Sequence, residues 1–104
     1  MPIQLMIYER RDNGSREAMG NSALEMCRAA RKREGITSAR YYWTGDSIAF
    51  LYEGEVDALN YPYAEDQIEK YGRAAFVLMD NARVTLNSRL VDARDALQMQ
   101  RSYR

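Results

Sequence analysis

Arg40, Tyr42, Glu53 and Ser38 are the residues of this 104-residue chain whose types and spacing best suit chemistry on a small molecule. They lie in and just before the stretch ARYYWTGDSIAFLYEGE, residues 39–55, which also holds the only tryptophan. A guanidinium at position 40 would hold an anionic or carbonyl group. A phenol at 42 would donate a hydrogen bond or stack on a ring, and Glu53 would serve as a carboxylate base if burial raised its pKa. A competing reading has Arg40 and Glu53 form an ion pair or a network beneath an interface between subunits, with no ligand.

Composition removes several alternatives. The chain has no histidine, which excludes a Ser-His-Asp triad, a Cys-His pair and a histidine-rich zinc or haem site. Cys27 is the single cysteine, so an internal disulfide is impossible. With Met26 and Ala30 beside it, Cys27 reads as a buried, inert thiol rather than a nucleophile helped by Arg28 and Arg31. Asp and Glu are scattered without ligand spacing, so no metal site is expected, and nothing in the sequence specifies a cofactor. Fifteen basic and fifteen acidic residues give a formal charge of zero, which argues against a dedicated nucleic-acid or acidic-membrane surface. No window approaches the roughly 20 apolar residues of a membrane span. MPIQLMIYERR has no basic segment before its apolar run, so it reads as a strand rather than a signal peptide, and a cytoplasmic location is expected.

The elements that must position these residues follow from periodicity. Ile3, Leu5 and Ile7 alternate with Gln4, Met6 and Tyr8, as in a short strand. DNGS at 12–15 is turn-forming, with Ser15 as a helix N-cap. Met19, Ala23, Met26 and Ala30 recur at helical spacing, which predicts an amphipathic helix over 16–34. Gly20 within it suggests close packing against a neighbour. Cations in RAARKRE complement the helix's negative end, and Gly35 can take a left-handed cap position. Gly45-Asp46 between two aromatic and β-branched runs signals a two-residue hairpin. That turn pairs Thr44 with Ser47, Trp43 with Ile48, Tyr41 with Phe50 and Ala39 with Tyr52. Tyr42 then opposes Ala49, Arg40 opposes Leu51 and Ser38 opposes Glu53, leaving one aromatic face and one mixed face.

Beyond Gly54, Pro62 followed by Glu65 and Asp66 suits a first helical turn. Tyr61 and Tyr63 beside it would either form a lid over a cavity or staple the loop to its helix. Ile68, Tyr71, Ala75, Leu78, Ala82, Leu86, Leu90, Ala93 and Leu97 then keep helical steps. A single helix over 62–98 would run roughly 55 Å, longer than the roughly 35 Å breadth of a domain this size. A break between Asp80 and Asp92 is therefore expected. A strand over 74–80 is the competing reading, and the all-round apolar character of Phe76 to Met79 calls for cover on two faces. The length suits a single α+β domain over 1–104, with 99–104 frayed.

The order strand, helix, hairpin, helix resembles the ferredoxin-like β-α-β-β-α unit. In particular it resembles the dimeric α+β barrel superfamily, which includes antibiotic-biosynthesis monooxygenases and stress-responsive barrel proteins. The resemblance implies an antiparallel sheet with helices on one face and a barrel shared with a second subunit on the other. It would turn Ile3, Leu5, Ile7, Ala39, Tyr41, Trp43, Ile48, Phe50 and Tyr52 toward the helices. Gln4, Met6, Tyr8, Arg10, Ser38, Arg40, Tyr42, Leu51 and Glu53 would face the lumen. Gln4 and Tyr8 thereby join Arg40, Tyr42, Glu53 and Ser38 as ligand-binding candidates. The Asn, Trp and His set of haem-degrading members does not carry over, because there is no histidine.

Three functions are open at this point. One is a homodimer with a small-molecule site over the mixed sheet face, with or without catalysis. A second is a dimeric interaction module without chemistry. A third, more remote, is a sheet that stacks single-stranded RNA, for which SIAFLYE superficially resembles the central strand of an RNA-recognition motif. Asp46 and Ser47 stand where that motif needs basic and glycine positions.

Overall fold

A computed structural model describes residues 2–59, 72–92 and 94. Strand β1 spans Ile3–Arg10 and helix α1 spans Arg16–Arg31. The hairpin follows as β2, Ile36–Thr44, and β3, Ser47–Gly54. Short α2, Val56–Leu59, helix α3, Arg73–Asn81, and β4, Ala82–Leu90, complete the described elements. The four strands form one antiparallel sheet in the order β2-β3-β1-β4. The lid or staple expected of Tyr61 and Tyr63, the helix start at Pro62 and the frayed end at 99–104 fall outside the described residues.

Helix α1 forms where its periodicity places it, and is three residues shorter than 16–34. The Ser15 hydroxyl accepts the Ala18 amide proton at 3.1 Å, satisfying one orphan donor of the first turn. Lys32 ends the helix, its amide donating to the Ala29 and Ala30 carbonyls, and Gly35 at φ +89° turns the chain into β2. Met19, Ala23, Met26, Cys27 and Ala30 form the buried stripe, which packs on one sheet face. Phe50 is the centre of that contact. Its ring is fully buried and meets Tyr8 and Tyr52 edge-on, at centroid separations of 5.5 and 5.8 Å. Gly20 faces the Trp43 ring, and a Cβ there would lie at an ordinary 3.5 Å from it.

The hairpin pairs in the expected register, from Thr44 opposite Ser47 through Ser38 opposite Glu53. Gly45 at φ +60° supplies the left-handed first turn residue that keeps this register.

Two expectations are corrected. Residues 74–80 are helical, as preferred over a strand, and the expected break comes at Asn81, but the helical steps read across Ala82, Leu86 and Leu90 do not hold. Residues 82–90 are instead the fourth strand, paired with the free edge of β1. A spacing of four residues, as between Leu86 and Leu90, is a multiple of the strand period as well as a helical step, so periodicity alone did not separate the two. What ends the helix is hydrogen bonding. The Asn81 side chain donates to the Val77 carbonyl, while the Asn81 carbonyl accepts the Arg11 amide at 2.9 Å, drawing the chain onto β1. The second correction concerns β1. Met6 and Tyr8 are buried against the helices, opposite Phe50 and Ile48, so Ile3, Leu5 and Ile7 lie on the other face. Alternation separates two sets of side chains without saying which set turns inward, and both sets here are largely apolar.

The junction between β1 and α1 ties the layers together. Arg11 donates from its amide to Asn81 and from Nε to the Met79 carbonyl at 3.1 Å, and the Ser15 amide donates to Asn81 Oδ1 at 2.8 Å. Gly14 is pressed so closely on this corner that a Cβ would sit 2.1 Å from the Asn81 carbonyl oxygen. On the other side Arg10 reaches Asp46 at 3.0 Å, and Arg16 reaches the Gly45 carbonyl at 2.8 Å while lying 3.9 Å over the Trp43 ring. The Arg10 hydrogen bond, then its charge, holds the Asp46 carboxyl below its ordinary pKa.

Gly14→Ala is expected to lower unfolding free energy by about 2 kcal/mol or more, because backbone must move to admit the methyl. Phe50→Ala should cost about 3–5 kcal/mol through the cavity it leaves. Urea unfolding followed by circular dichroism measures both, and a loss within about 0.5 kcal/mol for Gly14→Ala would contradict the packing described.

Candidate functional site

Antiparallel pairing places opposed residues on the same sheet face, so the registers define the surface turned away from the helices as four ranks. The first runs Ser38, Glu53, Ile3, Leu90, and the second Arg40, Leu51, Leu5, Ser88. The third runs Tyr42, Ala49, Ile7, Leu86, and the fourth Thr44, Ser47, Glu9, Arg83. A bulge opposite Ile7 and Tyr8 skips Thr85 and keeps Leu86 and Arg83 on this face.

The middle of this face is apolar and its margins are polar. Leu51, Leu5, Ala49 and Ile7, on central strands β3 and β1, are half-buried, while Leu86 and Leu90 on β4 are 41% and 40% exposed. Tyr42 is 48% exposed at the opposite margin. Glu9 and Arg83 pair at 3.8 Å across the end of the sheet.

The candidate residues divide accordingly. Ser38, Arg40, Tyr42 and Glu53 share the open face, as the hairpin register requires. Tyr8 and Gln4 do not belong to it. Tyr8 is a core residue packed edge-to-face with Phe50. Gln4 points to the helix side, opposite Tyr52, where it accepts from Arg89 Nε at 2.9 Å and donates to Asn87. In their places β1 contributes Ile3, Leu5 and Ile7, and β4 contributes Leu86 and Leu90. Their apolar character was visible in the sequence, but the strand register was needed to put them beside Arg40.

Arg40 is exposed, and among the described residues no hydrogen bond or ion pair engages its guanidinium or the half-buried Glu53 carboxylate. The two groups sit diagonally across β2 and β3, at a separation typical of roughly 7–8 Å between Cα atoms. Among the described residues the ion pair considered from the sequence is therefore not formed. Ser38, Arg40 and Tyr42 instead form a row of hydrogen-bond donors along β2, and Glu53 is an acceptor one rank away.

Other reactive groups are accounted for by the core or the surface. Cys27 is fully buried, and that burial pushes its thiol up to about 11, against the opposing pull of the nearby Tyr52 hydroxyl and of Arg31. A shallow groove between α1 and α3 is lined by Ala18, Asn21, Ser22, Glu25, Arg73, Ala74 and Val77, but the Ser22 hydroxyl there is spent on the Ala18 carbonyl at 2.7 Å. Among the described residues there is no cluster of three metal-ligating side chains and no helix long and apolar enough to cross a membrane.

This geometry defines a small α+β protein with a four-stranded antiparallel sheet covered by helices on one side. No family model matches the chain, and no curated protein matches it. A solved structure titled "Structural Genomics, protein YJCS" has a similar fold, with a TM-score of 0.60 over 86% of this chain and 96% of that one. At 10% identity the likeness is one of fold alone.

The Cys27 thiol is expected to resist modification in the folded protein. Raising its pKa from 9.0 to about 11 lowers the thiolate fraction at pH 8 roughly 100-fold before steric protection is counted. The sign follows for stability too: the contribution is complete below pH 9 and is lost as pH rises toward 11. Reaction with a colourless aromatic disulfide, read by thiolate release, should be slow in buffer and complete within minutes in denaturant. Rapid reaction in buffer would place Cys27 outside the core.

Proposed function

We propose that this protein is a ferredoxin-like, dimeric α+β barrel-type protein that binds a small organic ligand on the sheet face opposite the helices. The carrying observation is the open face itself. Its central ranks are apolar, yet nothing in the chain's described residues covers them. A contiguous apolar stretch on an open sheet face is typical of an interface or a ligand site. A second copy related by a two-fold axis would set another such face about 10 Å away, converting a flat surface into a closed cavity. The single thiol, without a disulfide partner in the chain, fits a cytoplasmic setting.

The second reading is a dimeric interaction module without chemistry. It is favoured by the open charges of Arg40 and Glu53, which have opposite sign and would pair across a two-fold axis. A base-stacking sheet is disfavoured, because Tyr41, Phe50 and Tyr52 pack on the helix side and leave Tyr42 as the aromatic of the open face among the described residues.

Sedimentation should find a dimer at roughly 10 µM, a concentration at which a micromolar or tighter complex is well populated. Leu51→Lys should produce a folded monomer, since a lysine in the middle of the buried face costs several kcal/mol. A monomeric wild-type protein would refute both readings. Arg40→Ala and Glu53→Gln separate them: a weaker dimer, with no ligand bound by wild type or variant, supports the module, and lost binding in an intact dimer supports the site.

A further inference from the structure

Resting on the ligand-site reading, the geometry points to a ligand class: an apolar monoanion, with its carboxylate held at Arg40 and its hydrocarbon or aromatic body lying across β3, β1 and β4. We infer this from the order of chemistry along the ranks. The outer charged rank is self-satisfied, since Glu9 and Arg83 face each other at 3.8 Å. Among the described residues the remaining cation on the open face is Arg40, one rank inside, on the edge strand. A guanidinium presents a planar fork of donors that matches a carboxylate with two parallel hydrogen bonds. Ser38 and Tyr42, the alternate residues on either side of it along β2, add hydroxyl donors.

The direction of the body follows from the same register. Leu51 and Leu5 continue the Arg40 rank, and Ala49, Ile7 and Leu86 flank it. Crossing from β2 to β4 covers three inter-strand steps, roughly 14 Å in all, so an unbranched chain of about ten carbons or a fused aromatic system fits the width. Glu53 sets the charge. Diagonal to Arg40 and without a cation of its own among the described residues, it repels a second negative charge beside the head group, and the apolar Leu5, Ile7 and Leu86 give a charge at the far end of the ligand no partner.

The test is isothermal titration of the intact wild-type chain at pH 7.5 with decanoate, decanol, decylamine, decanedioate and inorganic phosphate, each below its aggregation threshold. Decanoate should bind about 10-fold or more tightly than decanol, as a charge-assisted hydrogen bond predicts, with decanedioate weaker than decanoate and phosphate silent. Arg40→Ala should remove the preference for decanoate over decanol while leaving the circular dichroism spectrum and sedimentation unchanged, and Arg40→Lys should retain part of it. Equal binding of decanoate and decanol, unaffected by Arg40→Ala, overturns the anion assignment and leaves the ligand site standing. Tightest binding by decylamine overturns it by assigning the head group to Glu53, and tightest binding by decanedioate or phosphate overturns the single-charge, apolar requirement. Failure of every ten-carbon probe to bind overturns the ligand site together with this assignment.

Discussion

The corner where Gly14 meets Asn81 fixes the relation between the first half of the chain and the last described strand. Gly14 and the Asn81 carbonyl approach to a distance that no side chain permits. Asn81 is bonded at the same time through its carbonyl and its side chain to Arg11, Ser15 and Val77. These contacts stop α3, turn the chain into extended backbone and deliver β4 to the free edge of β1. Arg10 and Arg16, leaving the same loop in the other direction, hold the β2–β3 turn. One loop thus anchors both flanks of the sheet, and the ranks of the open face inherit their alignment from it.

A four-stranded sheet with helices on one side leaves its other side to solvent or to a partner. In an isolated domain that second side is ordinarily polar. Here β1 and β3, the two central strands, carry apolar residues on both faces. Helices cover Met6, Tyr8, Ile48 and Phe50, and Leu5, Ile7, Ala49 and Leu51 lie on the side that no other described residue covers. The polar groups of that side are displaced to its margins, with donors on β2 and an ion pair at one end. This distribution divides the face into a donor-bearing polar margin and an apolar middle.

The hairpin was legible residue by residue. Gly45-Asp46 specifies a turn, the turn specifies a register, and the register sorts Tyr41, Phe50 and Tyr52 from Arg40, Tyr42 and Glu53 without any other part of the chain. Helix α1 was legible because its stripe, its Ser15 cap and its terminal cations agree. The facing of β1 was not, because Ile3, Leu5 and Ile7 form a better apolar set than Gln4, Met6 and Tyr8 yet are the set turned away from the helices. Nor was β4, whose Leu86 and Leu90 spacing satisfies helix and strand alike. Four of the six candidate residues, Ser38, Arg40, Tyr42 and Glu53, were therefore assigned to the open face from sequence, and Tyr8 and Gln4 were assigned to the wrong side of the sheet.

The sequence by itself determined what is local: turn geometry, hairpin register, the buried stripe of α1, and the exclusion of histidine and disulfide chemistry. Those follow from contacts between residues close in the chain, where backbone preference and side-chain alternation act directly. Only the tertiary structure decided which face of β1 meets the helices and that residues 82–90 pair with it, bringing Ile7 and Leu86 alongside Tyr42 and Ala49. The physical reason is that a strand's alternation is symmetric between its two faces. That symmetry is broken by long-range pairing, here by Met6 opposite Phe50 and by the hydrogen bonds of Asn81 to a loop some seventy residues earlier.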